Sequence, residues 1–296
     1  MEYRRGIWFG VSAWIFWGLT PMFWNLVESD PASLLLHRIV WSVPILALVI
    51  TMRREWPTFL HGYSAWRPRV TTLAAAALLA TNWGVFVWGV TTGHIVEVSL
   101  GYFINPLVSV ALGTLIPKER LRRTQWVAVG IAAFGVTAMA IISGVLPWIS
   151  LVLACSFGTY GLLKKHDATP APLLSLFGET AIMFFPALAA MLLLARTAEP
   201  GFGSSPQLSV FLVAAGLISV IPLLLFGAAA KRIPLSTLGF LQYIAPTLQL
   251  LVAVVVFEES MTSVELRGFI TVWVALAIFS FDMHKNSEHR TQTAAV

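Results

Sequence analysis

Ten apolar stretches divide this chain, and sixteen of its nineteen Lys and Arg residues fall in every second gap between them or at its ends. The stretches run over 6–25, 33–52, 71–90, 98–116, 124–143, 147–163, 173–195, 208–229, 237–257 and 264–282. Each is close to the roughly 20 residues that cross a bilayer as a helix. Only a helix satisfies its backbone hydrogen bonds within one segment in lipid, so the pattern predicts an all-α integral membrane protein with ten transmembrane helices. Composition agrees, since 57% hydrophobic and 11% charged residues exceed what a soluble exterior accommodates. The last stretch is the least clean, with Glu265 and Arg267 in its first turn.

The cations orient these spans. Arg4, Arg5, Arg53, Arg54, Arg67, Arg69, Lys118, Arg120, Arg122, Arg123, Lys164, Lys165, Lys231, Arg232, Lys285 and Arg290 share one side. The other side holds Arg196 and Arg267 with Glu28, Asp30, Glu97, Glu199, Glu258 and Glu259. The positive-inside rule makes the cationic side cytoplasmic, with both termini there. The net charge of +5 then belongs to topology and not to a nucleic-acid footprint. The first span is long and lacks a small-residue cleavage site, so it is expected to stay rather than be removed as a signal peptide. Cys155 is the single cysteine and can form neither an intramolecular disulfide nor, alone, a metal site. No cofactor or metal is expected, and oligomerisation is not required.

The chain also repeats itself at a shift of about 140 residues. Asn105-Pro106 corresponds to Ala245-Pro246, and Leu100-Gly101-Tyr102 to Leu238-Gly239-Phe240. Trp17-Gly18 maps onto Phe157-Gly158, Glu119 onto Glu259, Pro44 onto Pro186 and His37 onto Glu179. The halves are 1–143 and 147–285, followed by a cytoplasmic tail at 286–296. Five spans per copy is odd, so the second copy enters the membrane in the opposite sense, as an inverted-topology repeat. Two equivalent halves can exchange inward-open and outward-open forms about a central site, which moves solutes. Proline within spans removes a backbone hydrogen bond and can kink its helix, which marks Pro106, Pro246, Pro44 and Pro186 as candidate hinges.

Polar stripes locate a solute site. Span four carries Tyr102, Pro106 and Ser109 at helical spacing, and span nine carries Gln242, Pro246 and Gln249. Such groups avoid lipid, so they face either a wet cavity or a neighbouring helix. Asn82 and Asn105 add amides; Trp83, Phe86, Tyr160 and Tyr243 add aromatic area. Trp14 and Trp17 lie deeper than the interfacial belt that accounts for Trp8, Trp24, Trp56, Trp66 and Trp148. The expected cavity is lined by spans one, three, four, six, eight and nine, with five and ten peripheral. His37, Arg38, Glu97 and Glu179 are the candidate gate or coupling groups. Arg38 is expected to pair with Glu97 at one mouth and Glu179 with Lys231 or Lys164 at the other. Snorkelling to the nearest interface is the alternative for each.

The strings SLGYFINPLVSVALG at 99–113, HRIVWS at 37–42, NWGVFVWGV at 82–90 and STLGFLQYIAPTL at 236–248 resemble the RarD-like branch of the EamA transporters, in the drug/metabolite transporter superfamily. The resemblance implies two inverted EamA-like repeats around a central cavity, and export of small metabolites from a bacterial-type inner membrane. Amino acids are the expected substrates, by similarity to exporters of the YddG type. A multidrug or antibiotic efflux carrier and a gated channel are the alternatives. No HExxH pair, GxSxG elbow or P-loop occurs, so enzyme chemistry is not expected.

Overall fold

The computed structural model describes residues 1–27, 29–144, 148–169, 171–194, 201–258 and 263–293, and these contain helices but no strand. Glu28, Arg196, Glu199 and Glu259 lie outside the described residues, so the correspondence of Glu119 with Glu259 does too; the side chains of Glu265 and Arg290 also lie outside them. The elements are α1 (Glu2–Trp24), α2 (Pro31–Met52), α3 (Trp56–Gly62), α4 (Trp66–Thr91), α5 (Ile95–Leu115), α6 (Arg123–Ser143), α7 (Trp148–Lys165), α8 (Pro172–Leu194), α9 (Pro206–Ala230), α10 (Leu235–Leu241), α11 (Ile244–Val255) and α12 (Ser263–Thr293). Among the described residues, nine membrane-length apolar segments meet the length and composition needed to cross a bilayer, α10 and α11 counting together as one. The sixth expected span, the 18-residue α7 ending in Lys164-Lys165, is not one of the nine.

Three differences from the sequence reading appear, two of them with a cause in proline chemistry. The gap after Met52 folds into the short α3, started by Pro57 near its N-terminus. The ninth span breaks at Gln242-Tyr243, because Pro246 offers no N–H to the Gln242 carbonyl and Ala245 N takes that carbonyl instead at 3.1 Å. Its counterpart Pro106 lies inside an uninterrupted α5, and Pro44 and Pro186 lie inside α2 and α8. Finally, α12 stays helical to Thr293, so the segment expected as a tail begins as helix.

Local signals set the helix starts. Asp30 caps α2 by accepting from Ser33 N at 2.9 Å, with Pro31 following, and Ser205 caps α9 by accepting from Leu208 N at 3.1 Å, with Pro206 following. The packing of the halves has paired counterparts. Helix α1 packs on α11 as α7 packs on α5; α1 meets α9 as α7 meets α4; α2 meets α9 as α8 meets α4. Helices α6 and α12 pack on each other at the edge.

Close helix approach depends on missing Cβ atoms. A Cβ on Gly18 would sit 2.6 Å from Leu248 Cβ of α11, and one on Gly158 would sit 2.8 Å from Val108 of α5. At Gly216 the neighbour is backbone: a Cβ there would lie 2.8 Å from the Trp41 carbonyl carbon of α2.

The cation-rich gaps gather at one end of the bundle. Arg232 Nε donates to Glu2 Oε2 at 2.9 Å, and Lys231 Nζ to Thr169 O at 2.7 Å. Lys165 Nζ reaches Ile233 O at 2.8 Å. Glu119 accepts from Leu235 N at 2.6 Å, Ser236 N at 2.9 Å and Ser236 Oγ at 2.7 Å, tying the end of α5 to the start of α10. Arg122 pairs with Asp282 of α12. The other gaps meet at the opposite end, where Trp88 packs on Trp148, Phe23 on Phe211 and His37 on Phe202.

Because backbone at Trp41 cannot yield as a side chain can, Gly216→Ala is expected to cost about 1–3 kcal/mol from overpacking. Gly84 has nothing near its would-be Cβ, so Gly84→Ala should leave stability unchanged or slightly raised. Thermal unfolding of the detergent-solubilised variants checks both; equal melting temperatures would refute the tight α2–α9 crossing.

Candidate functional site

A cavity of about 280 Å³ occupies the centre of the bundle. Its walls come from α1 (Trp14, Trp17, Thr20, Pro21, Trp24), α2 (Arg38), α4 (Asn82, Trp83, Phe86), α5 (Gly101, Tyr102, Asn105), α7 (Leu153, Phe157), α9 (Ile218) and the α10–α11 break onward (Gln242, Ala245, Pro246, Gln249). Nine of the twelve residues expected to line a cavity do so: Trp14, Trp17, Asn82, Trp83, Phe86, Tyr102, Asn105, Gln242 and Gln249. Span two joins the wall through Arg38, which corrects its assignment to the mouth alone. No described side chain of α6 or α12 is part of the lining.

The other three lie elsewhere. Ser109 is buried and accepts from Gln242 Nε2 at 3.0 Å, while Tyr243 OH donates to Phe103 O at 3.2 Å; both are interhelical contacts. Tyr160 is buried and donates to Glu179 Oε2 at 3.0 Å. The polar stripe on span four therefore does both things a stripe can do. Its Tyr102 end faces the cavity, and its Ser109 end packs on α10.

On each long wall the lining residues occupy the part of the helix farther from the cationic end, and packed residues fill the part nearer to it. In α1, Gly10 meets Leu241 below the Trp14–Trp17 pair, whose rings lie 4.7 Å apart. In α4, Ala75, Ala76 and Leu79 are buried below Asn82. Trp14, Phe157, Phe226 and Tyr160 form an aromatic floor, with Trp14 edge-on to Phe226 at 5.8 Å and Tyr160 stacked on Phe226 at 5.9 Å. Asn82 braces the wall by donating to Leu153 O at 2.9 Å and Ser156 Oγ at 3.0 Å.

Arg38 does not pair with Glu97. Its Nε donates to Ser219 Oγ at 2.7 Å, and its guanidinium lies 5.0 Å from the Trp24 ring and 5.1 Å from the Trp83 ring. Ser219 donates onward to Ala215 O at 2.8 Å, which orients the hydroxyl lone pairs toward Arg38. Trp24, read as an interfacial anchor, is thus a cavity residue and a cation–π partner. Glu97 is buried in the first turn of α5; its Oε2 has no hydrogen-bond partner among the described residues, and its carbonyl accepts from Ser150 Oγ at 2.6 Å. His37 is buried, stacked on Phe202 at 5.8 Å, with Nδ1 unpartnered.

Below the floor, Glu179 meets Lys164, one of its two expected partners. Lys164 Nζ lies 2.7 Å from Glu179 Oε1 and 2.6 Å from Ser175 Oγ, and Ser175 Oγ donates to the same carboxylate at 2.9 Å. Lys231 instead reaches Asp167 at 3.9 Å, and Lys164 reaches Asp167 at 3.8 Å. Burial pushes the Asp167 carboxyl up, but Lys164, Ser175 and Thr169 outweigh it and hold it below the usual carboxylate range. Asp167, Ser175 and Ser219 were not foreseen. Nothing in their local sequence separates them from ordinary loop or span residues. Phe157 carried a signal, since the repeat aligns it with Trp17 across the same cavity.

The EamA-like transporter family model matches residues 4–141. The protein RarD of Streptomyces exfoliatus is 44% identical to this chain, over 99% of the chain and 95% of that protein. The uncharacterized transporter YojE of Bacillus subtilis is 40% identical over 96% of each. A crystal structure at 17% identity superposes with a TM-score of 0.71 over 95% of this chain and 98% of its own, which shows a shared fold. Identity at this level along nearly the full length, in a bundle with these apolar spans, settles membership: this multi-pass membrane protein belongs to the EamA-like transporter family of the drug/metabolite transporter superfamily, with RarD among its relatives.

Proposed function

We propose that this protein exports small metabolites, amino acids first, across a bacterial-type inner membrane by alternating access around the central cavity. In this reading all ten spans cross the bilayer, as two inverted five-helix copies with both termini in the cytoplasm. A single copy suffices, and its partners are the solute and the lipid. The observation that carries the reading is the placement of the cavity: it lies in the helix halves away from the cationic end, over an aromatic floor and a buried ionic layer. With the cationic end cytoplasmic, this is a form closed toward the cytoplasm. The paired packing of α1 on α11 and α7 on α5 supplies the counterpart by which the closure could change ends.

The aromatic walls also suit apolar drugs, so the substrate test must separate the two classes. Cells expressing the chain, challenged with toxic levels of each amino acid and of common antibiotics, are expected to tolerate one or a few amino acids better than controls. Tyr102→Ala, which removes a cavity wall, should abolish that protection. Protection against antibiotics alone would replace this reading with drug efflux.

Topology is tested in a Cys155→Ser background. Thr92→Cys and Ser204→Cys should react with an impermeant thiol reagent on intact spheroplasts, whereas Thr58→Cys and Arg120→Cys should react only after lysis. Labelling of both groups from the same side would end the inverted-repeat reading.

Closure of the cationic end is tested at the buried pair. Lys164→Met or Glu179→Gln alone removes the close ion pair, leaving Glu179 to Ser175 and Tyr160 or Lys164 to Ser175 and Asp167, and should destabilise this form by up to about 3–5 kcal/mol. The double variant should recover part of that loss, measured as a double-mutant cycle in thermal unfolding. Strict additivity would show that the pair contributes no coupling.

A further inference from the structure

We propose that Arg38 is the recognition element of the cavity and that the solute it selects carries a carboxylate. The inference rests on the transport reading above and narrows its substrate class. Arg38 lines the cavity, and no ion pair among the described residues includes it. Its Nε is held by Ser219 at 2.7 Å, and Trp24 and Trp83 lie 5.0 and 5.1 Å from its charge centre. With Nε fixed by Ser219, the two terminal nitrogens remain to present a pair of parallel N–H groups, the arrangement that matches a carboxylate in a bidentate pair.

A guanidinium inside a span without a protein counter-ion is costly, and ring faces offset only part of that cost. A solute carboxylate in the cavity completes the pair. Two further cavity residues complement the other end of such a molecule. Asn105 and Gln242 line the cavity, and their buried amide oxygens Oδ1 and Oε1 have no donor among the described residues, so either amide, once turned toward the cavity, can accept from an N–H-bearing group such as an ammonium. Trp14, Trp17 and Phe157 offer an apolar surface between polar groups. Together these favour a small zwitterion with an apolar body. The fixed positive charge repels cationic amphiphiles, and the same walls without Arg38 would welcome them.

The test uses the purified full chain in detergent micelles, with calorimetric titration of each amino acid and its carboxamide, which keeps the ammonium and side chain but loses the anion. At least one acid is expected to bind about tenfold to hundredfold more tightly than its carboxamide, as the loss of a charge-assisted hydrogen-bond pair implies. Arg38→Gln should erase that preference, and Arg38→Lys should restore part of it. Equal binding of acids and carboxamides to the unmodified chain, or a preference intact in Arg38→Gln, overturns the role of Arg38 while leaving an amino-acid transporter standing. Binding of apolar cations such as phenethylamine with no acid bound overturns the role and the amino-acid reading together. Should Arg38→Gln fail to fold, the acid-to-carboxamide ratio of the unmodified chain decides alone.

Discussion

Helices in lipid gain little from hiding apolar surface, so the arrangement of this bundle depends on how closely two backbones can approach. The crossing of α2 and α9 shows the consequence most directly. Gly216 lets the α9 backbone lie against Trp41 and Ser42, and Ser42 Oγ sits 3.3 Å from Gly216 O while donating to Arg38 O at 2.6 Å. Ser219, one turn along α9, is thereby brought within 2.7 Å of Arg38 Nε. A wider crossing would separate that pair. The guanidinium would then be held only by two tryptophan rings, which constrain its plane less than a hydrogen bond does. A missing methyl group on one helix thus fixes a charge on the next.

The layers beneath the cavity and the walls around it use different chemistry. Toward the cationic end there is first an apolar layer of aromatic rings, then the buried set of Tyr160, Glu179, Lys164 and Ser175, then the capping of α10 by Glu119. The ionic layer contributes less to net stability than its short distances suggest, since both charges lose water on burial. Its value lies in geometry, because Tyr160, Lys164 and Ser175 all converge on the Glu179 carboxylate and tie α7 to α8. Away from that end the wall residues are mostly single aromatic side chains and amides, which can rotate without leaving a charge unpaired.

Much of this was legible in the sequence, and the exceptions share a cause. Span positions followed from hydropathy, and the clustering of cationic gaps at one end followed from their alternation, because both are properties of the chain read in order. The polar stripes of spans four and nine pointed to Tyr102, Gln242 and Gln249, and amide or aromatic character within a span pointed to Trp14, Trp17, Asn82, Trp83, Phe86 and Asn105. Partners were harder. Arg38 was matched to Glu97 by sign and depth, yet it turns toward Ser219 and two rings because α9 and α4 lie beside it there and α5 does not supply the acid. The break at Gln242-Tyr243 and the straight passage of α5 through Pro106 differ for the same reason: proline permits a break, and the neighbours decide whether one forms.

The placement of acids limits how the proposed cycle could be driven. Among the described residues no acidic side chain lines the cavity, so a proton coupled to transport through these residues acts from outside it. Glu179 is the best placed, one helical layer below the floor, but Oε1 is held by Lys164 and Ser175 and Oε2 by Tyr160. Asp167 stands 3.8 Å from Lys164 as a second carboxylate in the same layer. Coupling by that route requires no contact between proton and solute, only that each prefers a different end open. Movement down the solute's own gradient requires even less: the cavity must bind in both forms, and the closing layers must be of similar strength.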